Sequence, residues 1–160
     1  MTDSGVIATP NRIPWPPILF GTAAIAAVGL GMMLPGPDWL RAPTLAIIGW
    51  CVVIAGLVLD AAAMATMARH RANILPHRAA TALVTGGPFA WSRNPIYLGN
   101  TIAMSGAAGR NQGLAKASAA LVAALAVTRL AILREEAHLA ARFGAAWEAY
   151  CRQTGRWYGR

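Results

Sequence analysis

Apolar residues in this chain are grouped into long runs separated by short polar breaks, a pattern with neither the strict alternation of strands nor the mixed periodicity of soluble helices. The first run extends roughly from Trp15 to Leu34, with Pro14, Pro16 and Pro17 before or at its start and Pro35, Gly36 and Pro37 closing it. A turn carrying Asp38 and Arg41 follows, and Pro43 opens a second run that reaches about Met67. The third, Ile96 to about Ala108, is short and contains Gly99, Ser105 and Gly106; the fourth is Leu114 to Leu133. A helix of about 20 apolar residues matches a hydrocarbon layer of ~30 Å. The pattern therefore predicts an all-α integral membrane bundle of about four transmembrane helices. The length of the third run suits either an extended span or part of a hairpin that does not fully cross. Trp15, Trp39 and Trp50 lie at or near run ends, where aromatic rings favour the interface.

Two stretches depart from this pattern. From Arg69 to Pro95 the chain is polar, with Arg69, His70, Arg71, His77, Arg78 and Arg93 around a Gly86-Gly87-Pro88 turn. Beyond Leu133, apolar Leu139, Phe143, Trp147 and Tyr150 recur at helical spacing among Glu135, Glu136, Arg142 and Glu148. That spacing predicts an amphipathic C-terminal helix lying on the membrane or against the polar loop. Small residues at four-residue spacing, Gly99, Ala103 and Ala107 and also Ala115, Ala119 and Ala123, predict close approach of the third and fourth helices. Such stripes pack helices within one chain or between chains.

Composition strengthens the membrane reading. Of 160 residues, 56% are hydrophobic and only 12% charged, about half the charged fraction of an ordinary soluble domain; the mean hydropathy is +0.45. The formal charge of +8 would suggest nucleic acid in a soluble protein. Here the arginines sit between and after apolar runs, so lipid headgroups and topology explain them and no nucleic-acid partner is expected. Arg12, the loop from Arg69 to Arg93 and the tail beyond Arg134 share one side of a four-helix bundle, against Arg41, Arg110 and Lys116 on the other. The positive-inside rule puts both termini and the loop in the cytoplasm, with the chain in the cytoplasmic membrane. A single domain over 1–160 is the natural organisation, with its polar chemistry in about 69–160. The N-terminal segment, with Asp3 and only Arg12 before its apolar run, is a poor secretory signal, so the first helix is expected to be retained. Cys51 and Cys151 form no metal-ligand spacing or disulfide framework.

The loop and the tail thus bring His77, Arg93, Asn94, Tyr97, Glu135, Glu136 and His138 to one membrane face. A carboxylate can accept hydrogen bonds from ribose hydroxyls or an amino group, and an arginine can hold a carboxylate. Aromatic rings can cover an adenine or lie near a sulfonium. Asp60 is the one acidic residue well inside an apolar run, a costly placement that often marks function.

The residues in these two stretches resemble a known signature. Leu83-Val84-Thr85-Gly86-Gly87-Pro88-Phe89, followed by Ser92-Arg93-Asn94-Pro95-Ile96-Tyr97-Leu98-Gly99, is similar to the first conserved block of the isoprenylcysteine carboxyl methyltransferase and phospholipid methyltransferase superfamily. Arg134-Glu135-Glu136, with Leu139, Phe143-Gly144, Tyr150 and Arg156-Trp157, resembles its second. The resemblance covers roughly the C-terminal half. It implies a membrane-embedded methyltransferase that uses S-adenosylmethionine, bound at the cytoplasmic face between the loop, the last two membrane helices and the C-terminal helix. Carried over residue by residue, it implies that Leu83, Val84, Phe89, Asn94, Pro95, Tyr97 and Glu135 bind the cofactor. Arg93 and Glu136 are the candidate catalytic residues, and His77, Asp60 and Arg129 the candidates for contact with a lipophilic or small acceptor.

Two departures from the family pattern narrow the substrate. Asn94 stands where eukaryotic members carry His, which removes a titratable group. Ala131 occupies the position of the arginine that binds substrate in the prenylcysteine enzymes, with Arg129 and Arg134 on other helical faces. Both argue against a prenylcysteine acceptor. Taken alone, Arg93-Asn94-Pro95 also suits a helix start, with Asn as cap, Pro in the first turn and Arg reaching the interface. Adjacent glutamates point about 100° apart on a helix, so only Glu135 need face the pocket. A non-catalytic membrane scaffold of the same fold and a membrane reductase of related architecture are the competing functions.

Overall fold

The computed structural model describes residues 15–33, 42–73, 81–108, 122 and 124–159. Every regular element among them is helical. Helix α1 (Trp15–Met33) and helix α2 (Pro43–Arg69) coincide closely with the first two apolar runs. Proline at the first position of α2 is well placed, because its missing N–H falls among the donors that a helix start leaves unpaired. Helix α3 (Pro95–Ala108) starts the same way. Its described turns rise about 21 Å at 1.5 Å per residue. A π turn (Thr128–Ile132) leads directly into helix α4 (Leu133–Phe143), and helix α5 (Ala145–Gln153) completes the order.

Among the described residues, α2 is the helix long and apolar enough to cross a membrane. Ile47, Ile48, Trp50, Ile54, Leu57, Val58 and Met64 are all exposed along it. A soluble helix seldom leaves so continuous an apolar surface in water, whereas lipid solvates it without cost. Four transmembrane helices were expected. Most of the fourth run, with Ala115, Ala119 and Ala123, lies outside the described residues, as does His77.

Among the described residues, the glycine stripe of α3 meets α2. A Cβ on Gly56 would come within 2.5 Å of the Gly99 carbonyl oxygen and 2.7 Å of the Ala103 nitrogen. One on Gly106 would lie 2.7 Å from the Gly49 oxygen. Backbones this close need glycine on both helices, which provides the dispersion contacts that hold helices together in lipid. Ala107, expected in the same stripe, is exposed.

The expected amphipathic C-terminal helix is two helices. Gly144 adopts φ 49° and ψ −122°, a left-handed conformation open to glycine, and breaks the helix between α4 and α5. The break turns Trp147 and Tyr150 inward. Both are buried, and their rings meet edge to face at 5.7 Å. A second core cluster joins the helices: Phe20 of α1, Tyr97 of α3 and Val127, Ala131 and Ile132 around the π turn.

Candidate active site

The first block runs without regular structure through Leu83 and Val84, then a 3₁₀ turn over Gly87–Ala90, then α3. Gly87 has φ 61° and sits over Thr66 of α2; a Cβ there would be 3.1 Å from its hydroxyl oxygen. This glycine lets the loop press onto the end of α2. Val84 is buried, and Leu83 and Phe89 are half-buried. Pro95 is fully buried at the head of α3. Asn94 is also buried: its N–H bonds to the Ser92 hydroxyl at 3.0 Å, and its carbonyl accepts from the Leu98 N–H at 3.0 Å.

The second block meets the first through both glutamates. The Tyr97 hydroxyl donates to Glu135 Oε2 at 2.9 Å. Arg93 Nη1 lies 3.3 Å from Glu136 Oε1. Arg156 adds a bidentate grip on Glu136, with Nε at 3.0 and 3.1 Å from its two oxygens and Nη2 at 2.6 Å from Oε2. Both adjacent glutamates thus reach the first block. Arg93 and Tyr97 are four residues apart, and each meets one of two adjacent carboxylates.

Arg93 is held from several directions. Its Nη1 donates to the Cys151 sulfur at 2.7 Å, and its guanidinium lies 5.5 Å from the centre of the Trp147 ring. Its Nε is buried with no hydrogen-bond partner among the described residues. Beyond these contacts the tail is laced to the loop from Phe89 to Asn94. Tyr150 donates its hydroxyl to the Phe89 carbonyl at 2.6 Å and Thr154 its hydroxyl to that of Ala90 at 3.3 Å. The Gly159 N–H bonds the Trp91 carbonyl at 3.2 Å, and the Arg93 N–H bonds that of Gly155 at 3.0 Å. The Arg156 carbonyl accepts from both the Ser92 hydroxyl at 3.3 Å and the Asn94 amide at 3.2 Å.

Electrostatics follow from this packing. Glu135 retains accessible surface as a residue, yet protein atoms crowd its carboxylate. Desolvation is the largest influence and pushes its pKa up; the Tyr97 hydrogen bond and nearby His138 pull it down, and Glu136 pushes it up. Hydrogen bonding to Glu136 is the main cause that raises Arg156 above its already high ordinary value.

The remaining candidates are dispersed. Asp60 is buried in α2, its carboxylate against Gly99 at the α2–α3 contact, and its Oδ1 has no hydrogen-bond partner among the described residues. Arg129 is exposed on the π turn. Ala131, where prenylcysteine enzymes carry arginine, is buried in the core beside Tyr97. Ser92, Cys151, Thr154 and the Arg156 backbone were not singled out from sequence. The Arg156-Trp157 pair in the tail was the available signal for that end of the site; Cys151 offered none.

With this geometry in view, comparison with known proteins gives the class. Residues 44–146 match the phospholipid methyltransferase family, and the chain belongs to that family. The match spans both glutamates and the whole Arg93–Tyr97 segment but ends before the tail that clasps them. The chain is also similar to the nickel-cobalt-cadmium resistance protein NccN of Alcaligenes xylosoxydans xylosoxydans, at 33% identity over 98 residues. That alignment covers 61% of this chain and 46% of the relative, so the chain spans less than half the length of the protein it matches. No solved structure matches it. Family membership and the apolar α2 together point to a membrane location.

Proposed function

We propose that this chain is an S-adenosylmethionine-dependent methyltransferase of the cytoplasmic membrane, with its donor site and both termini on the cytoplasmic side and a lipophilic or small acceptor. The observation that carries the reading is the joining of two distant motif blocks by Tyr97 to Glu135 and Arg93 to Glu136, in a chain of a methyltransferase family.

The donor set fits such a cofactor. Glu135 is a desolvated acceptor that gains from hydroxyl or ammonium donors. Leu83, Val84 and Phe89 supply apolar and backbone surface for an adenine, with Asn94 and Pro95 at the head of α3 beside them. Arg93 Nε is a buried donor in want of an acceptor. S-adenosylmethionine, when bound, supplies a methyl group on a sulfonium that is already a good leaving group.

The protein's task is then to align donor and acceptor and to exclude water. Tyr97 fixes the Glu135 carboxylate in place. We assign Arg93 and Glu136 to holding the site together, because guanidinium groups occupy both Glu136 oxygens. A carboxylate acceptor needs no proton removed, whereas an amine acceptor must shed one before or during attack. Asp60 and Arg129 are kept as candidates for acceptor contact, together with His77.

Two measurements test this. S-adenosylhomocysteine should raise the melting temperature of the purified protein in detergent, and a nicotinamide cofactor should leave it unchanged; the reverse result favours a reductase, and no response to either favours a scaffold. Incubation with a radiolabelled methyl donor, membrane lipid extract and small thiols should then label one acceptor class.

A further inference from the structure

The family match ends at residue 146, yet the densest polar contacts of the candidate site involve residues beyond it. We infer that Arg156 is a positioning residue for the donor site, acting through Glu136 to hold Glu135 against Tyr97. The inference rests on the methyltransferase reading above.

Geometry carries the argument. Among the described residues, Glu136 has two cationic ion-pair partners, and they are unequal. Arg93 approaches one oxygen at 3.3 Å, while Arg156 makes contacts at 2.6, 3.0 and 3.1 Å to both oxygens. The stronger grip therefore comes from the tail. Charge-assisted bidentate pairs add geometric specificity as well as energy. Glu135 and Glu136 share the first turn of α4, so fixing one carboxylate restricts the other. The Arg156 carbonyl meanwhile accepts from Ser92 and Asn94, on either side of Arg93 and just before α3. One residue thus holds the helix that carries Glu135 by its side chain, and the loop that leads to Tyr97 by its backbone.

The cluster also predicts how it tolerates change. Two guanidiniums face one carboxylate, so removing Arg156 leaves Arg93 and Glu136 as a one-to-one pair with no uncompensated buried carboxylate. Arg156→Ala should accordingly fold and lose positioning. Arg152, exposed in the last turn of α5, is a control for loss of a tail charge.

The test is calorimetric titration of the full chain in detergent with S-adenosylhomocysteine. Arg156→Ala and Glu136→Gln should each weaken binding roughly tenfold, and the double variant should bind within about twofold of either single, because both remove the same tie. Arg152→Ala should bind as the wild type does. Wild-type affinity in Arg156→Ala, a loss in the double variant that is the product of the two singles, or an equal loss in Arg152→Ala would each overturn the inference. Should Arg156→Ala not fold, Arg156→Lys replaces it, with an expected weakening of about threefold, since a point charge loses the bidentate geometry. Full affinity in a folded Arg156→Lys together with full affinity in Glu136→Gln would refute the role. A wild-type chain that does not bind S-adenosylhomocysteine would instead remove the methyltransferase reading, and this inference with it.

Discussion

The Tyr97 hydroxyl donates a hydrogen bond of 2.9 Å to the carboxylate of Glu135, across 38 residues of sequence. Tyr97 is buried in the first turns of α3, where it packs with Phe20, Val127, Ala131 and Ile132. Its ring is therefore fixed by apolar contacts and its hydroxyl by a single carboxylate. This pairing draws two distant segments into one site, and the account of function depends on it.

Crowding at the α2–α3 contact makes Gly99 sensitive. A Cβ there would collide with the Asp60 carboxylate and lie 2.7 Å from the Gly56 oxygen. Gly99→Ala should destabilise the protein by about 1–3 kcal/mol through forced helix displacement. Gly86→Ala should be close to neutral, because a Cβ at Gly86 meets nothing within 4 Å and its φ is −98°. Thermal melting in detergent distinguishes the two.

Loss of the Tyr150 hydroxyl should cost more than its area suggests. It donates to the Phe89 carbonyl at 2.6 Å from a buried ring. Tyr150→Phe leaves that acceptor short of a partner and should lower stability by about 1–3 kcal/mol. A denaturant or thermal midpoint equal to wild type would show that the loop carbonyl finds a replacement.

These two regions differ in how far sequence alone reveals them. Helix starts at Pro43 and Pro95 follow from local stereochemistry, and the apolar runs from hydropathy, so α1, α2 and α3 were legible. The pairing of the loop with Glu135 was legible only through the resemblance of two motif blocks. Gly144, by contrast, looked like one position within a continuous helical period, and its left-handed φ is visible only in the fold. The α3 glycines announced close packing, but a small-residue stripe carries no address: the fourth run was expected opposite them, and among the described residues they meet α2. Arg156 showed only as one member of the second motif block, in its basic tail. Its grip on Glu136 and its carbonyl's contacts with Ser92 and Asn94 are long-range pairings that leave no periodic trace.

Desolvation of the Glu135 carboxylate gives stability a pH dependence of defined sign. Desolvation, the largest influence, raises its folded pKa above the ordinary 4.5. The folded state therefore holds this proton more tightly than the unfolded state does. Its contribution to stability is complete below 4.5 and is lost as pH rises through the elevated folded value. The difference in melting temperature between wild type and Glu135→Gln should thus shift against wild type as pH rises across that window. A difference that stays flat would contradict a raised value.

Binding of S-adenosylhomocysteine to wild type, Tyr97→Phe and Glu135→Ala, measured by calorimetry in detergent, decides whether the Tyr97–Glu135 contact helps to hold the donor. The account predicts saturable binding by the wild-type chain, a loss of roughly tenfold or more in Glu135→Ala, and a smaller loss in Tyr97→Phe, which removes one hydrogen bond. Equal affinity in all three would contradict it, because the Tyr97–Glu135 contact between the two motif blocks would then have no part in holding the donor.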